Sequence, residues 1–109
     1  MEVEDIVKIN KQFDSGRIVN KSSLEFALSS SNDSKDWLKQ LAYLVRAIII
    51  DHIFEEGNKR TASALIMAVL EENKIAYDPQ KVDAIIIEII KNNITIINKI
   101  KRMIKDATR

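Results

Sequence analysis

The chain contains no cysteine, one proline and two glycines among its 109 residues. The absence of cysteine excludes disulfide bonds and thiolate metal sites, and it is typical of proteins from a reducing compartment. The scarcity of proline and glycine leaves long segments without helix breakers. No uninterrupted apolar stretch approaches the about 20 residues that a membrane-spanning helix needs. We therefore expect a helix-rich cytoplasmic protein that makes no use of a membrane.

Charge of one sign is not in excess either, because 17 Lys and Arg stand against 16 Asp and Glu, for a net charge of +1. No overall basic field draws such a chain to nucleic acid, so a nucleic-acid partner is not expected. Any charge that binds phosphate must be local. The length predicts that residues 1–109 form a single domain.

Apolar residues recur at helical spacing along most of the chain. The pattern predicts a first helix that ends before Ser15 and Gly16, and a helix from Trp37 that is buried on more than one side. A further helix is expected to end near Asn73. Asp78 and Pro79 are a helix-start signal, and two isoleucine-rich helices are expected after them.

The loops between these helices carry weaker signals. Ser22 and Glu25 have the spacing of a capping box, which predicts a short helix at that point. The polar stretch 29–34 is interpreted as a loop inside the domain, in which Asp33 or Ser34 caps the next helix.

A short β-prone stretch precedes these loops. Arg17, Ile18, Val19 and Asn20 suit one arm of a small hairpin or an extended flap, at about residues 16–21. An exposed segment of this kind can pair its backbone with a strand of another protein. These four residues are therefore the candidate for such pairing with another chain.

The motif HIFEEGNKRTAS, residues 52–63, joins the two most strongly apolar helices and contains the only histidine. A helix that begins near Asn58 has unpaired backbone N–H groups in its first turn, and such a turn favours anions, above all phosphate. Gly57 permits close approach of a ligand, and Lys59 and Arg60 add two cations. Cations are unfavourable at a helix N-terminus, so an anionic ligand explains them better than solvation alone.

Two further residues of the motif suit chemistry on a bound phosphate. Glu56 is a candidate Mg²⁺ ligand, because this ion takes one or two carboxylates and completes its shell with phosphate oxygens and water. His52 has the side chain best suited to removing a proton near neutral pH.

With these residues in place, the sequence resembles the Fic/Doc family, whose motif reads His-x-Phe-x-(Asp/Glu)-Gly-Asn-(Gly or Lys)-Arg. Six positions in nine residues match in register: His52, Phe54, Glu56, Gly57, Asn58 and Arg60. The resemblance implies an all-α Fic-type domain with the loop 52–60 between two core helices and a short β-hairpin flap before it.

The resemblance also implies roles for the matching residues. His52 would be the catalytic base toward a target hydroxyl and Glu56 the Mg²⁺ ligand. Gly57, Asn58 and Arg60 would bind the phosphates of ATP or another nucleoside triphosphate. Phe54 would anchor the loop in the core.

Two positions point to a branch of the family. Lys59 stands where AMP-transferring members usually have glycine, and Ser63 where they usually have a second arginine. The stretch NKRTA resembles the Doc branch, toxins that transfer the γ-phosphate to a hydroxyl of a translation elongation factor. We therefore predict a Doc-like phosphotransferase with AMP transfer as the alternative, and a binding module without turnover as the alternative of another class. The inhibitory Ser/Thr-x-x-x-Glu-(Gly/Asn) pattern of some members is absent, so either a separate antitoxin restrains the protein, as the Doc resemblance implies, or the protein is unrestrained or inactive.

Overall fold

The computed structural model describes all residues from 1 to 109 and consists of six α-helices joined by short loops. The helices are α1 (Val3–Asn10), α2 (Lys21–Asn32), α3 (Trp37–Ile50), α4 (Asn58–Glu72), α5 (Pro79–Lys91) and α6 (Ile97–Asp106). The all-α class predicted from the sequence is confirmed, and no helix is long and apolar enough to cross a bilayer.

Helix α3 lies at the centre of the molecule and packs against α2, α4 and α6. Its buried residues point in several directions; among them Leu44, Val45 and Ile49 lie on different sides and are almost completely enclosed. Each side chain of this kind stabilises the fold by about 1.5 to 3 kcal/mol through removal of apolar surface from water. The prediction that this helix is buried on more than one side is confirmed. Its C-terminal end is thereby fixed in the core.

Two of the predicted helix starts differ from those observed. Asp36 caps α3, with its carboxylate accepting hydrogen bonds from the backbone N–H groups of Leu38 and Lys39 at 3.0 and 3.3 Å. The prediction of Asp33 or Ser34 as the cap is therefore wrong. Likewise α2 is capped by Asn20, two residues before Ser22. In contrast, the start at Asp78 and Pro79 is confirmed, with Asp78 as the cap of α5.

The serine-rich stretch 29–34 is mostly helix, because α2 continues to Asn32. The predicted loop is wrong for those residues. Leu24 and Leu28 lie on the buried face of α2, and Ser31, one turn beyond Leu28, is buried with them. Packing of that face against α3 outweighs the weak helix preference of serine.

The predicted β-hairpin flap is absent. Residues 17–20 are extended, but they pair with the motif loop and not with a second flap strand: Val19 N–H donates to the Ile53 carbonyl at 2.8 Å, and Glu55 N–H donates to the Arg17 carbonyl at 3.0 Å. Ile18 and Phe54 face each other as an isolated antiparallel bridge. A hairpin has no room here, since Gly16 turns the chain on one side and α2 begins at Lys21 on the other.

The last two helices complete the core. Helix α5 packs against α4, and α6 packs against α3. Their isoleucines supply much of the buried surface, including Ile86, Ile89, Ile100 and Ile104. The chain end lies beside the segment that precedes α5, where Tyr77 and Thr108 form a second isolated bridge. Most isoleucines of this half of the sequence therefore pack in the core, as their spacing predicts, whereas Ile87 and Ile96 are exposed.

Candidate active site

The motif occupies the loop between the end of α3 at Ile50 and the start of α4 at Asn58. Two apolar residues in the middle of the loop, Ile53 and Phe54, are 0% and 1% exposed and tie it to the core. The Asn58 amide closes the loop on itself: its Oδ1 accepts from Phe54 N–H at 3.0 Å and its Nδ2 donates to the Phe54 carbonyl at 2.9 Å. The loop is therefore a short, fixed connection whose polar residues face outward.

Helix α4 begins without a side-chain cap. Its N-cap residue is Gly57, with φ of 76°, and no acidic side chain lies in the first turn. The backbone N–H groups of Asn58, Lys59 and Arg60 therefore have no helical partner and no capping oxygen. The first turn of α4 is free to bind an anion through these groups and through the positive end of its dipole.

A cavity of about 460 Å³ opens in front of this first turn. Its size is in the range usual for sites that bind small molecules. The residues that line it are Phe13, Asp14, Ile49, His52, Glu56, Gly57, Asn58, Lys59, Arg60 and Ile90. All the candidate residues for base, metal and phosphate thus lie around a single cavity.

The remaining predicted residues lie outside the cavity wall. Phe54 is enclosed in the core behind the loop. Arg17 to Asn20 run along the other side of the loop and do not line the cavity. Glu55 also turns away, since it forms an exposed ion pair with Arg17 at 3.6 Å. Of the two adjacent glutamates, only Glu56 faces the cavity.

His52 directly follows the turn that ends α3 and has a left-handed backbone conformation, with φ of 52°. For a residue other than glycine this conformation is strained, and such strain persists where the surrounding structure enforces it, often at functional sites. The side chain is exposed and borders the cavity. An imidazole in this place has access to a proton on a substrate held at the first turn of α4.

A comparison with protein-family models identifies this architecture. The model of the Fic/DOC family matches residues 4–70, which include α1 to α3, the motif loop and most of α4. This chain belongs to the Fic/DOC family. No curated protein and no solved structure matches it. Members of the family transfer nucleotide-derived groups to proteins, with nucleoside triphosphates as donors and typically with Mg²⁺, so this chain carries a Fic-type transferase domain.

The Fic/DOC site has a second carboxylate that sequence reasoning missed. Hydrogen bonding to Asp14, together with the negative charge of that residue, raises the pKa of Glu56 above its ordinary value. The two carboxyl groups therefore face each other at the cavity wall. Two neighbouring carboxylates beside an anion-binding helix terminus fit Mg²⁺, which Glu56 and Asp14 would hold and whose charge would offset their repulsion.

The other missed residues are apolar and come from distant parts of the chain. Phe13 lies in the turn after α1, Ile49 in the last turn of α3, and Ile90 near the end of α5. Phe13 and Ile90 follow the same spacing as neighbouring core residues, so the sequence gives no signal that they border a cavity. Together the three side chains form an apolar wall next to the phosphate-binding turn.

Proposed function

We propose that this Fic/DOC protein is a Doc-like phosphotransferase that moves the γ-phosphate of a nucleoside triphosphate, such as ATP, to a hydroxyl group of a target protein. The target class suggested by the Doc resemblance is a translation elongation factor. The protein would act as the toxin of a toxin–antitoxin pair, restrained by a separate antitoxin, as the Doc resemblance implies.

One observation supports phosphate transfer over AMP transfer most directly. Lys59 borders the cavity two residues after Gly57, at the position where AMP-transferring members usually have glycine. Ser63, at the position of their usual second arginine, is buried and does not border the cavity. The cations available to a triphosphate are therefore Lys59 and Arg60, both in the first turn of α4. This arrangement favours a donor that directs its terminal phosphate toward the turn.

The residues of the chain account for the reaction as follows. The first-turn N–H groups, Lys59 and Arg60 bind the phosphates and offset their charge. His52 accepts the proton of the target hydroxyl as the oxygen of that hydroxyl forms a bond to the γ-phosphorus. The bond from the γ-phosphorus to the bridging oxygen breaks, and the nucleoside diphosphate leaves with the electron pair of that bond. Glu56, with Asp14 beside it, would hold Mg²⁺, which when bound supplies charge neutralisation on the phosphate oxygens.

The extended segment 17–20 suits the alignment of a target. Ile18 and Phe54 form a non-hydrogen-bonded pair of an antiparallel bridge. The N–H and carbonyl groups of Ile18 therefore point away from the loop. Neither group has a hydrogen-bond partner in the chain. A target strand can add to this free edge and bring a hydroxyl toward His52 with little dependence on its sequence.

The proposal is tested by the chemical nature of the modification. The protein and its Lys59→Gly variant are incubated with ATP, Mg²⁺ and a cell lysate, and modified proteins are analysed by mass spectrometry. We expect the wild-type protein to add a phosphate group. Addition of an AMP group would assign adenylyl transfer in place of phosphate transfer, and ATP binding without any modification would favour a binding module. Loss of phosphate transfer in Lys59→Gly, with ATP still bound, would support the role of Lys59.

A further inference from the structure

The two functional ends of the motif loop are each held by an asparagine from outside the motif. Asn10 is the last residue of α1, and Asn20 caps α2. Asn10 contacts the end that carries Glu56 and Gly57, whereas Asn20 contacts the end that carries His52.

Asn10 is completely buried, and its side chain bonds three separate parts of the chain. Its Nδ2 donates to the Glu56 carbonyl and to Thr61 Oγ1, both at 3.0 Å. Its Oδ1 accepts from Gly16 N–H at 2.9 Å. Thr61 Oγ1 in turn donates to the Gly57 carbonyl at 2.7 Å. The peptide groups of Glu56 and Gly57 are therefore fixed, directly and through one intermediate, by a single side chain.

The backbone of Asn10 extends this connection to the segment that carries Asp14. Its carbonyl accepts from the N–H groups of Phe13 and Asp14, at 2.9 and 2.8 Å. Asp14 and Glu56 both line the cavity, and their carboxyl groups are hydrogen-bonding neighbours there. Asn10 therefore sets the separation between the two carboxylates by bonding to both segments that carry them.

Asn20 bonds the carbonyl groups of the residues before and after His52. Its Nδ2 donates to the Asp51 carbonyl at 2.9 Å, and its backbone N–H donates to the Ile53 carbonyl at 3.2 Å. Its Oδ1 caps α2 by accepting from Ser23 N–H at 3.4 Å. Capping of α2 accounts for the hydrogen bond of Asn20 Oδ1. It does not account for the hydrogen bond of Asn20 Nδ2, which is made to Asp51 at the end of α3. The strained backbone of His52 is thus enforced by contacts on both sides.

We propose that Asn10 and Asn20 are positioning residues with separate tasks: Asn10 places Glu56 and the phosphate-binding turn, and Asn20 places His52. This inference rests on the proposed function for its catalytic consequence, while the two local contacts can be tested without nucleotide. A merely structural role for both residues would predict parallel losses of stability and activity. Separate tasks predict two different kinds of defect.

Three variants isolate the contacts. Asn10→Asp keeps the acceptor for Gly16 but replaces the Nδ2 donor by an oxygen that repels the Glu56 carbonyl. Asn20→Ser keeps a side chain that caps α2 but removes the donor to Asp51. Asn73→Ser is the matched control, because Asn73 Nδ2 donates to the Val69 carbonyl at 2.8 Å near the far end of α4. Asn10→Ser is a second variant for that position if the buried aspartate prevents folding.

Amide hydrogen exchange of the protein without nucleotide tests the contacts themselves. Thr61 N–H donates to the Gly57 carbonyl and reports on the end of the loop held by Asn10. Glu55 N–H donates to the Arg17 carbonyl and reports on the segment held by Asn20. We expect roughly ten-fold faster exchange of Thr61 in Asn10→Asp and of Glu55 in Asn20→Ser, with α6 unaffected. Unchanged exchange at both positions, or equal acceleration throughout the chain, would overturn the inference.

Kinetics and binding test the separate tasks. Asn10→Asp is expected to weaken ATP binding in the presence of Mg²⁺ by roughly ten-fold or more and to raise the Mg²⁺ concentration needed for transfer. Asn20→Ser is expected to slow transfer from bound ATP by a similar factor while its ATP affinity stays close to that of Asn73→Ser. The same KM and kcat defect in both variants would refute separate tasks. Absence of ATP binding and of transfer in the wild-type protein would instead refute the proposed function, and hydrogen exchange would still decide the contacts.

Discussion

Backbone conformation distinguishes two residues of the motif from the rest of the loop. His52 and Gly57 both have a left-handed backbone, with φ of 52° and 76°. The histidine and the glycine could be predicted as site residues because the motif spacing carries them. Asp14 and Asn10 could not, since their roles arise from contacts between segments more than forty residues apart in the chain. Residue types at a given spacing predict local chemistry, but not which distant carboxylate or amide completes it.

Replacement of Gly57 tests the first turn of α4. In Gly57→Ala the left-handed conformation is strained by about 1 to 2 kcal/mol, and the new Cβ lies 3.1 Å from Asn10 Nδ2 and 3.4 Å from Asp14 Cβ. We expect a lower free energy of unfolding in urea and weaker ATP binding. Gly16→Ala is the control, because it shares the strained φ, 78°, but its Cβ meets only the flexible Lys11 side chain. Equal loss of ATP affinity in the two variants would contradict this role of Gly57.

Among the elements, helix limits were predicted well where caps and packing agree and poorly where they compete. Asp78 with Pro79 marks the start of α5 in both sequence and structure. The serine stretch was misjudged because burial of one face of α2 outweighs local preference. The extended segment 17–20 was located correctly, but its partner was not, since strand pairing depends on which backbone edge is available in three dimensions.

Two substitutions in the extended segment 17–20 distinguish its proposed binding of a target strand from its support of the motif loop. Ile18→Pro removes an N–H that points away from the loop and has no partner in the chain, whereas Val19→Pro removes the donor to the Ile53 carbonyl. We expect Ile18→Pro to abolish target modification while ATP binding is retained, with a modest fall in unfolding temperature because the half-buried Ile18 side chain packs against the core. Val19→Pro is expected to lower the unfolding temperature as well. Normal modification by Ile18→Pro would remove the segment from target binding.

The start of α3 supplies a prediction about pH. Asp36 caps the helix and forms an ion pair with Lys101 of α6, and hydrogen bonding to this lysine lowers the pKa of Asp36. Asp36→Ala is expected to cost about 1 to 2 kcal/mol of stability at neutral pH through loss of the cap. Because the pKa of Asp36 is lowered in the folded protein, its carboxylate stabilises the fold at pH values above the ordinary pKa of 3.8. This stabilisation is lost as the pH falls through the lowered pKa. Urea unfolding of both proteins at several pH values should therefore show curves that converge in acid; a constant difference would contradict this account.

The family match covers part of the molecule, and two helices lie outside the matched residues. Residues 4–70 carry the family match, whereas α5 and α6 follow it along the chain. The all-α architecture and the central position of α3 were predictable because helical spacing is strong throughout. The apolar wall of the cavity was not predictable from the sequence, because it depends on how α5 packs against the end of α3. Ile90 is the residue through which α5 reaches the cavity.

Adjacent isoleucines on α5 separate stability from ligand binding. Ile89 is 0% exposed in the core, and Ile90 is partly exposed and borders the cavity. Ile89→Ala should lower the free energy of unfolding by about 2 to 5 kcal/mol, as large-to-small core changes do. Ile90→Ala should cost less stability but weaken ATP binding by loss of apolar contact. The two variants are compared by urea unfolding and by calorimetric titration with ATP; an unaffected ATP affinity in Ile90→Ala would exclude α5 from the site.

Transfer of label from ATP that carries it at either the α or the γ phosphate distinguishes phosphate transfer from AMP transfer. The wild-type protein and a His52→Asn variant are incubated with Mg²⁺ and a cell lysate. Asparagine tolerates the left-handed backbone of His52, so this variant should fold and bind ATP. We expect label only from the γ position and a loss of at least about 100-fold in His52→Asn. Protein labelled from the α position, or γ label that persists in the variant, would contradict the account.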